Sequence, residues 1–417
     1  MYLPGEGGVA VRLLSLFALA VLLAACSISS VEERALSEVI TNTGVPQTGH
    51  TWGYSSPKAL YDGERVYAVS LHGTDLYHAR MQLHWRDVAG WHEGATLEPV
   101  YQPATMLLDG EGHINVFCTG VGTRAYHWRS VRPRDVTAFA QVELPQPELF
   151  RFGYLGVGTD GRQIALAGLD GGYNLWLATK ASPEAPWSEA YQLAEGKAGL
   201  PTGNDAPCYP MIVPEGEQVH IVYSVCPDGS VHNTYNRVIY ACYDTRERRV
   251  VRQDMVAESP AGIVTYGLDA LRAPDGTLHV LHMGHIHSYG EKPEGEDARK
   301  GLYLATLPPD GEWTTVRVTE STGTAQLFLA PDGRLHVIES RYEGARDHVS
   351  TDGGRTFRLL GGPIGPGPAG FLYVIKANSG SVMDGVVRGV QSAGNMTDGR
   401  LVDYRLEYLQ YTPPDTP

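Results

Sequence analysis

The tightest group of reactive side chains is His232, Tyr235 and Arg237, in the segment His-Asn-Thr-Tyr-Asn-Arg at 232–237. Histidine and tyrosine exchange protons, and arginine pairs bidentately with a carboxylate. Together they could supply a base and an acid, His232 and Tyr235, and a cation, Arg237, that neutralises a developing negative charge. Tyr209 and Tyr266 are placed to reach the same mouth. A second mixed cluster, His72, Asp75, Tyr77 and Arg80, offers substrate contacts. In His282-x-x-His285-x-His287, His285 and His287 point the same way on an extended chain, as a zinc pair would. No acidic or cysteine partner accompanies them, so an ordinary polar loop competes with the metal reading. Glu291, Glu294, Glu296 and Asp297 are oxygen ligands of the kind calcium takes, without ordered spacing. The proton chemistry itself requires no cofactor. For every one of these groups the competing role is hydrogen bonding within a loop.

The chain that must position them has 417 residues, 42% apolar and 19% charged, enough for a sizeable core. A net charge of −14 gives no support to the phosphate-neutralising surface that nucleic-acid binding needs. No Gly-rich phosphate loop, nucleophile elbow or H-E-x-x-H motif is present, so nucleotide, serine-hydrolase and zincin chemistry lack support. Glycine (49), proline (27) and tyrosine (23) favour short strands joined by tight turns.

One motif, an apolar strand, a turn and a second apolar strand, recurs seven times. Its turn glycines are Gly63, Gly110, Gly161, Gly216, Gly276, Gly333 and Gly380. A second, more polar hairpin follows each of the first. The sequence therefore predicts an all-β chain: a seven-bladed β-propeller of four-stranded antiparallel blades, strands A to D. The seventh blade lacks a fourth strand, and residues near 36–43 are expected to supply it. Ser30 with Glu33 forms a capping-box pattern, so a short helix at 31–40 is the alternative. In this topology the A–B and C–D turns share one face of the disc. The B–C and D–A loops, which carry the reactive groups, share the other. His113, His220, His279 and His336 follow the turn in four different blades and are read as scaffold. His72, His232, His282, His285 and His287 have no counterparts in most blades.

Residues 13–25 form an apolar run too short to span a bilayer but suited to a signal-peptide core. It ends in Leu-Ala-Ala-Cys, which resembles a bacterial lipobox with Cys26 as the lipidated residue. The expected organisation is a signal peptide over 1–25, a lipidated linker containing the closing strand or helix over 26–45, one propeller over 46–411 and a loose tail over 412–417. The expected location is the bacterial cell envelope, with the chain held to the membrane through Cys26 and monomeric. Cys118, Cys208, Cys226 and Cys242 remain; a Cys208–Cys226 bridge or buried thiols both fit.

Ser350-Thr351-Asp352-Gly353-Gly354-Arg355-Thr356-Phe357 resembles the Asp-box of BNR and sialidase-like propellers. The resemblance implies a propeller that binds or acts on carbohydrate. The chain is also similar to propeller lyases of acidic polysaccharides in repeat number and in its His/Tyr/Arg-rich loops, which implies a polysaccharide partner. A sialidase would need three converging arginines, for which Arg237, Arg341 and Arg388 are the candidates, but only Lys58 stands near the place of the family's early arginine. A non-catalytic module that binds glycan or protein through Trp52, Tyr54, Tyr154 and Tyr173 is the other reading.

Overall fold

The computed structural model describes residues 35–43, 56–73, 80–98, 104–119, 124–150, 152–196, 206–226, 236–259, 263–287, 300–341, 343–365, 369–397 and 400–414. They form seven antiparallel sheets of four strands each, and among them the one helical element is a 3₁₀ turn at Pro147–Phe150. Blades 1 to 6 take their strands in chain order, over 59–97, 105–142, 152–194, 206–258, 263–319 and 325–359. Blade 7 takes strands A to C from the C-terminal end, and its outermost strand is Ala35–Asn42. That segment pairs antiparallel with Arg400–Tyr411, Ala35 opposite Tyr411 and Asn42 opposite Arg405. The closing strand thus forms, and strand pairing occupies Ala35–Val39, where the helix was the alternative. Glu38 then stitches the seam to blade 1, accepting from Arg86 at 2.6 and 2.7 Å and from Trp91 Nε1 at 3.1 Å.

Why the sheets close into a ring is visible in the side-chain alternation. In strand B of blade 1 (Val66–His72), Tyr67, Val69 and Leu71 pack on blade 2, while Val66 and Ala68 pack on blade 7. Successive residues of a strand face opposite sides, so a sheet buried on both sides reads as a continuous apolar run. Seven apolar clusters result, one between each pair of neighbouring blades, the last joining blade 7 to blade 1. Truncating a fully buried leucine in one of them, such as Leu281 or Leu304, is expected to cost about 2–5 kcal/mol.

Six of the seven repeat glycines adopt positive φ, from +58° at Gly216 to +98° at Gly63. Blade 2 differs: there the positive φ belongs to Gly112 (+82°), and Gly110 is needed for another reason. A Cβ on Gly110 would lie 1.9 Å from the Gly161 carbonyl oxygen, because neighbouring A–B turns touch. The four repeated histidines bond within their own sheets or to the next blade. His113 donates to the Ser130 carbonyl (2.7 Å), His220 meets the Tyr240 hydroxyl (2.8 Å), His279 meets Thr306 (3.1 Å) and His336 donates to Asp347 (3.0 Å).

All four described cysteines are buried thiols, and no disulfide joins them. The expected Cys208–Cys226 bridge fails on register: Cys226 lies opposite Ala206, and Cys208 opposite Ser224. The chain is held as far as Pro414, whose carbonyl accepts from Arg334 at 2.8 Å.

Candidate functional site

Each innermost strand A runs from the loop face toward its A–B turn, so the two faces of the disc are built from different chain segments. On the turn face the axis is plugged. Residues 376–381 of blade 7 fold inward: the Asn378 and Ser379 carbonyls accept from Thr159 N and Leu108 N at 2.8 Å, and Asn378 Nδ2 donates to the Ile212 carbonyl at 3.0 Å. Lys376 reaches Asp269 of blade 5 at 2.5 Å. The same Asp269 accepts from the backbone of Ala270 and Leu327. Burial pushes the Asp269 carboxyl up and the Lys376 ammonium down, and their mutual contact works against both shifts.

Outside the plug lies a cavity of about 610 Å³ with walls including Pro214, Pro274, Phe328, Pro331 and Met383. Its charged groups are already engaged: Arg272 with Glu215 and His220, Lys376 with Asp269, and Asp160 with Gly216 N. No expected site residue lines it.

The A strands are irregular toward the loop face and regular toward the A–B turns. Strands A of blades 3, 4, 5 and 7 are all bulged near their loop-face ends. Bulges re-aim side chains and are frequent beside active sites. In blade 4 the bulge falls between Cys208 and Met211, and Tyr209 within it has φ +50°. A left-handed conformation in a non-glycine residue costs on the order of 1 kcal/mol or more, which the surrounding packing sustains. Tyr209, Tyr266 and Tyr173 (φ +61°) all lie against the apolar cluster between blades 3 and 4. Arg237 opens strand C of blade 4 on the same face and is half-buried. The structure therefore brings Tyr173, Tyr209 and Tyr266 to one apolar cluster and puts Arg237 on the same face of blade 4.

His72 and Arg80 face each other across blade 1 at the loop-face end, Arg80 exposed. His72 Nε2 is 2.8 Å from Ser70 Oγ, which is 2.7 Å from His84 Nε2. One hydroxyl proton cannot serve both rings, so at least one histidine donates its own Nε2–H to Ser70 Oγ, which is also 3.4 Å from the Gln82 carbonyl. Burial, then the Arg80 charge, lowers the His72 pKa; burial takes His84 down to about 4. His282 is 5% exposed and stacked on Tyr303 (5.5 Å, 12°), between blades 4 and 5 beside Val280. Arg341 is held by Glu339 at 2.7 Å, and Glu339 also accepts from His348 at 3.0 Å. Burial works to raise the Glu339 pKa, but His348, Ser321 and Arg341 hold it below the usual range.

The three arginines expected of a sialidase do not converge. Arg237 and Arg341 lie at the loop face, whereas Arg388 opens strand B of blade 7 at the turn face, paired with Asp384 at 2.6 and 2.8 Å over the Tyr61 ring. His232, Tyr235, Tyr77 and Cys26 lie outside the described residues, as do the Glu291–Asp297 run and the side chains of His285 and His287. Among the described residues no group of three or more metal-ligating side chains occurs.

Sequence reasoning missed the groups at the axis. Ser56 donates to the Leu155 carbonyl of blade 3 at 2.9 Å, and the Pro57 carbonyl accepts from Met106 of blade 2 at 2.8 Å. Lys58 donates to the Ala104 carbonyl at 2.8 Å, its ammonium 5.6 Å from the centroid of the Tyr373 ring of blade 7. Residues 56–58 thus bridge the loop-face ends of the inner strands of blades 1, 2 and 3 and lie against blade 7. Burial lowers the Lys58 pKa to about 7. A signal was available: Lys58 precedes strand A of blade 1 where blade 2 has Ala104.

The molecule is a seven-bladed propeller with its irregular, polar face at the B–C and D–A loops. No protein-family model matches the chain, and no curated protein matches it. Solved structures share the fold. An ulvan lyase of polysaccharide lyase family 25, solved bound to -[GlcA(1-4)Rha3S]-, is 13% identical with a TM-score of 0.63, over 89% of this chain and 95% of that one. The hydrazine synthase of Kuenenia stuttgartiensis is 12% identical (TM-score 0.51, 84% and 94% covered). A puromycin hydrolase is 14% identical (TM-score 0.51, 88% and 55% covered).

Proposed function

We propose that the chain binds an acidic polysaccharide across its loop face and cleaves it by elimination. One observation carries this reading: Arg237 opens strand C of blade 4 at the face where Tyr173, Tyr209 and Tyr266 lie against the cluster between blades 3 and 4, on the strand that follows the His232 and Tyr235 segment. Aromatic faces beside an arginine suit sugar rings bearing a carboxylate. The likeness to an ulvan lyase over nearly the whole of both chains supports it. In the reaction, His232 or Tyr235 takes the proton next to the uronate carboxylate, and Arg237 neutralises the charge. The electron pair forms the new carbon–carbon double bond as the glycosidic C–O bond breaks, and the departing oxygen takes a proton from the other of the two. The Asp-box-like turn and the lipobox-like Cys26 support reading the same protein as an exported, carbohydrate-active propeller anchored at the bacterial envelope.

Incubation with uronate-containing polysaccharides, followed by ultraviolet absorbance of unsaturated ends, tests the chemistry. Arg237→Ala is expected to lower turnover at least a hundredfold with unfolding temperature unchanged. Retained glycan binding without any product would assign the face to a non-catalytic module.

A further inference from the structure

Lys58 is 3% exposed, yet its ammonium makes one hydrogen bond, to the Ala104 carbonyl, and among the described residues no carboxylate pairs with it. Among the described residues, two of its three N–H donors have no acceptor. The other buried lysines differ: Lys376 has Asp269, and Lys180 donates to the Pro183 carbonyl and faces Glu184, Asp109 and Glu111. A buried, unpaired ammonium is costly to fold around and persists where it has something else to do. Its position is equally specific, because residues 56–58 bond to the inner strands of blades 2 and 3 and lie against blade 7, at the axis on the loop face.

We propose that Lys58 is the anion-receiving residue of the axial mouth, which accepts the carboxylate of an acidic sugar and takes up a proton as it does so. The proposal rests on the acidic-polysaccharide reading and adds a charge-switching residue to it. Burial alone brings the amine close to neutrality, to about 7. Among the described residues, the groups packed against it are the Ala104 carbonyl from blade 2 and Tyr373 from blade 7, with Ser56 two residues away on its own segment; the Tyr373 phenol is the one titratable group among these. A carboxylate arriving beside the amine favours its charged form, so binding draws a proton from solvent. Arg237 cannot act in this way, since a guanidinium stays charged at every working pH.

The test is calorimetric titration of the full chain with a glucuronate-containing oligosaccharide, and with its carboxyl-reduced counterpart, at pH 7.5 in phosphate and in Tris. The expected result is a binding heat that differs between buffers by the uptake of roughly half a proton or more, and an affinity that falls up to tenfold per unit above pH 7. The carboxyl-reduced sugar should show neither effect. Lys58→Met should weaken acidic-sugar binding about tenfold or more and flatten its pH profile, while Lys58→Arg keeps affinity but loses proton uptake. A folded Lys58→Met that binds as the parent does, or a parent whose binding heat is independent of buffer, overturns the role of Lys58 and leaves the polysaccharide reading standing. A parent that binds no acidic oligosaccharide overturns both.

Discussion

The two faces of the disc solve opposite problems with the same repeat. On the turn face, four blades place a histidine at nearly the same spot, and all four rings bond to their own sheet or the next. The plug from blade 7 then ties blades 2 to 5 together across the axis. On the loop face the A strands bulge, Tyr209 and Tyr173 hold left-handed conformations, and a buried lysine has no carboxylate partner among the described residues. In the innermost strands, regularity therefore marks the end that holds the ring closed, and departures from it mark the end free to specialise. Loops on a rigid scaffold are the usual place for recognition, and here the scaffold's rigidity has an identifiable source.

The comparison breaks most visibly at the plug. Asp269→Ala leaves Lys376 buried without its partner, which is expected to cost about 3–5 kcal/mol. Chemical denaturation should report that loss, and Asp269→Leu with Lys376→Met should recover much of it. Glycan binding by the refolded parent and by the double variant should match. If the double variant instead loses binding, the plug is part of the ligand site and the division between faces falls.

Acid should act on the turn face next. Burial, the larger cause, holds His220 at about 3 and His279 at about 4, below the roughly 6.5 of an unfolded histidine. The native state then binds fewer protons than the unfolded chain between those values. Stability is complete above about pH 6.5 and falls as pH drops toward 4, by up to about 1.4 kcal/mol per unit for each ring. His220→Gln and His279→Gln should each reduce the slope of unfolding free energy against pH; an unchanged slope would show that the rings do not carry it. At neutral pH neither variant should alter ligand affinity.

Gly110→Ala is expected to cost about 1–3 kcal/mol, because the added carbon meets the Gly161 carbonyl rather than a movable side chain. Gly333→Ala, at φ +86° with open space around it, should cost about 1 kcal/mol through backbone strain alone. The order of the two unfolding midpoints separates close approach from conformation.

Most of the ring was legible in the sequence because each blade repeats one local rule: an apolar run, a glycine turn, a second run. The closing strand was legible because the seventh blade is short by one strand. What escaped is what has no local signature. Register decides that Cys226 faces Ala206 rather than Cys208, and register follows from pairing along the whole hairpin. Asp269 and Lys376 read as unremarkable residues 107 positions apart, and only the closed ring brings them together. Arg388 looks equivalent to Arg237 in composition, and its turn-face placement emerges once each strand has a direction. Lys58 was noticed as a neighbour of a missing arginine, while its burial at the axis depends on contacts with three other blades.

The smallest expected effect concerns the Ser350–Phe357 turn of blade 6, whose position on the turn face makes it a test of whether a recognisable motif must also be a site. Asp352 accepts from the backbone of Arg355 and Thr356 at 3.0 Å and from the Thr356 and Ser350 hydroxyls at 2.7 Å. These bonds hold its carboxyl well below the usual range, and Phe357 packs into the cluster between blades 5 and 6. Both carboxylate oxygens are thus engaged in folding the hairpin. Asp352→Ala should therefore lower stability by about 1 kcal/mol, as loss of a comparable backbone-capping side chain does, and leave glycan affinity as it was. A change in affinity without a change in unfolding midpoint would move this turn from scaffold to site and erase the division between the faces at its most sequence-legible point.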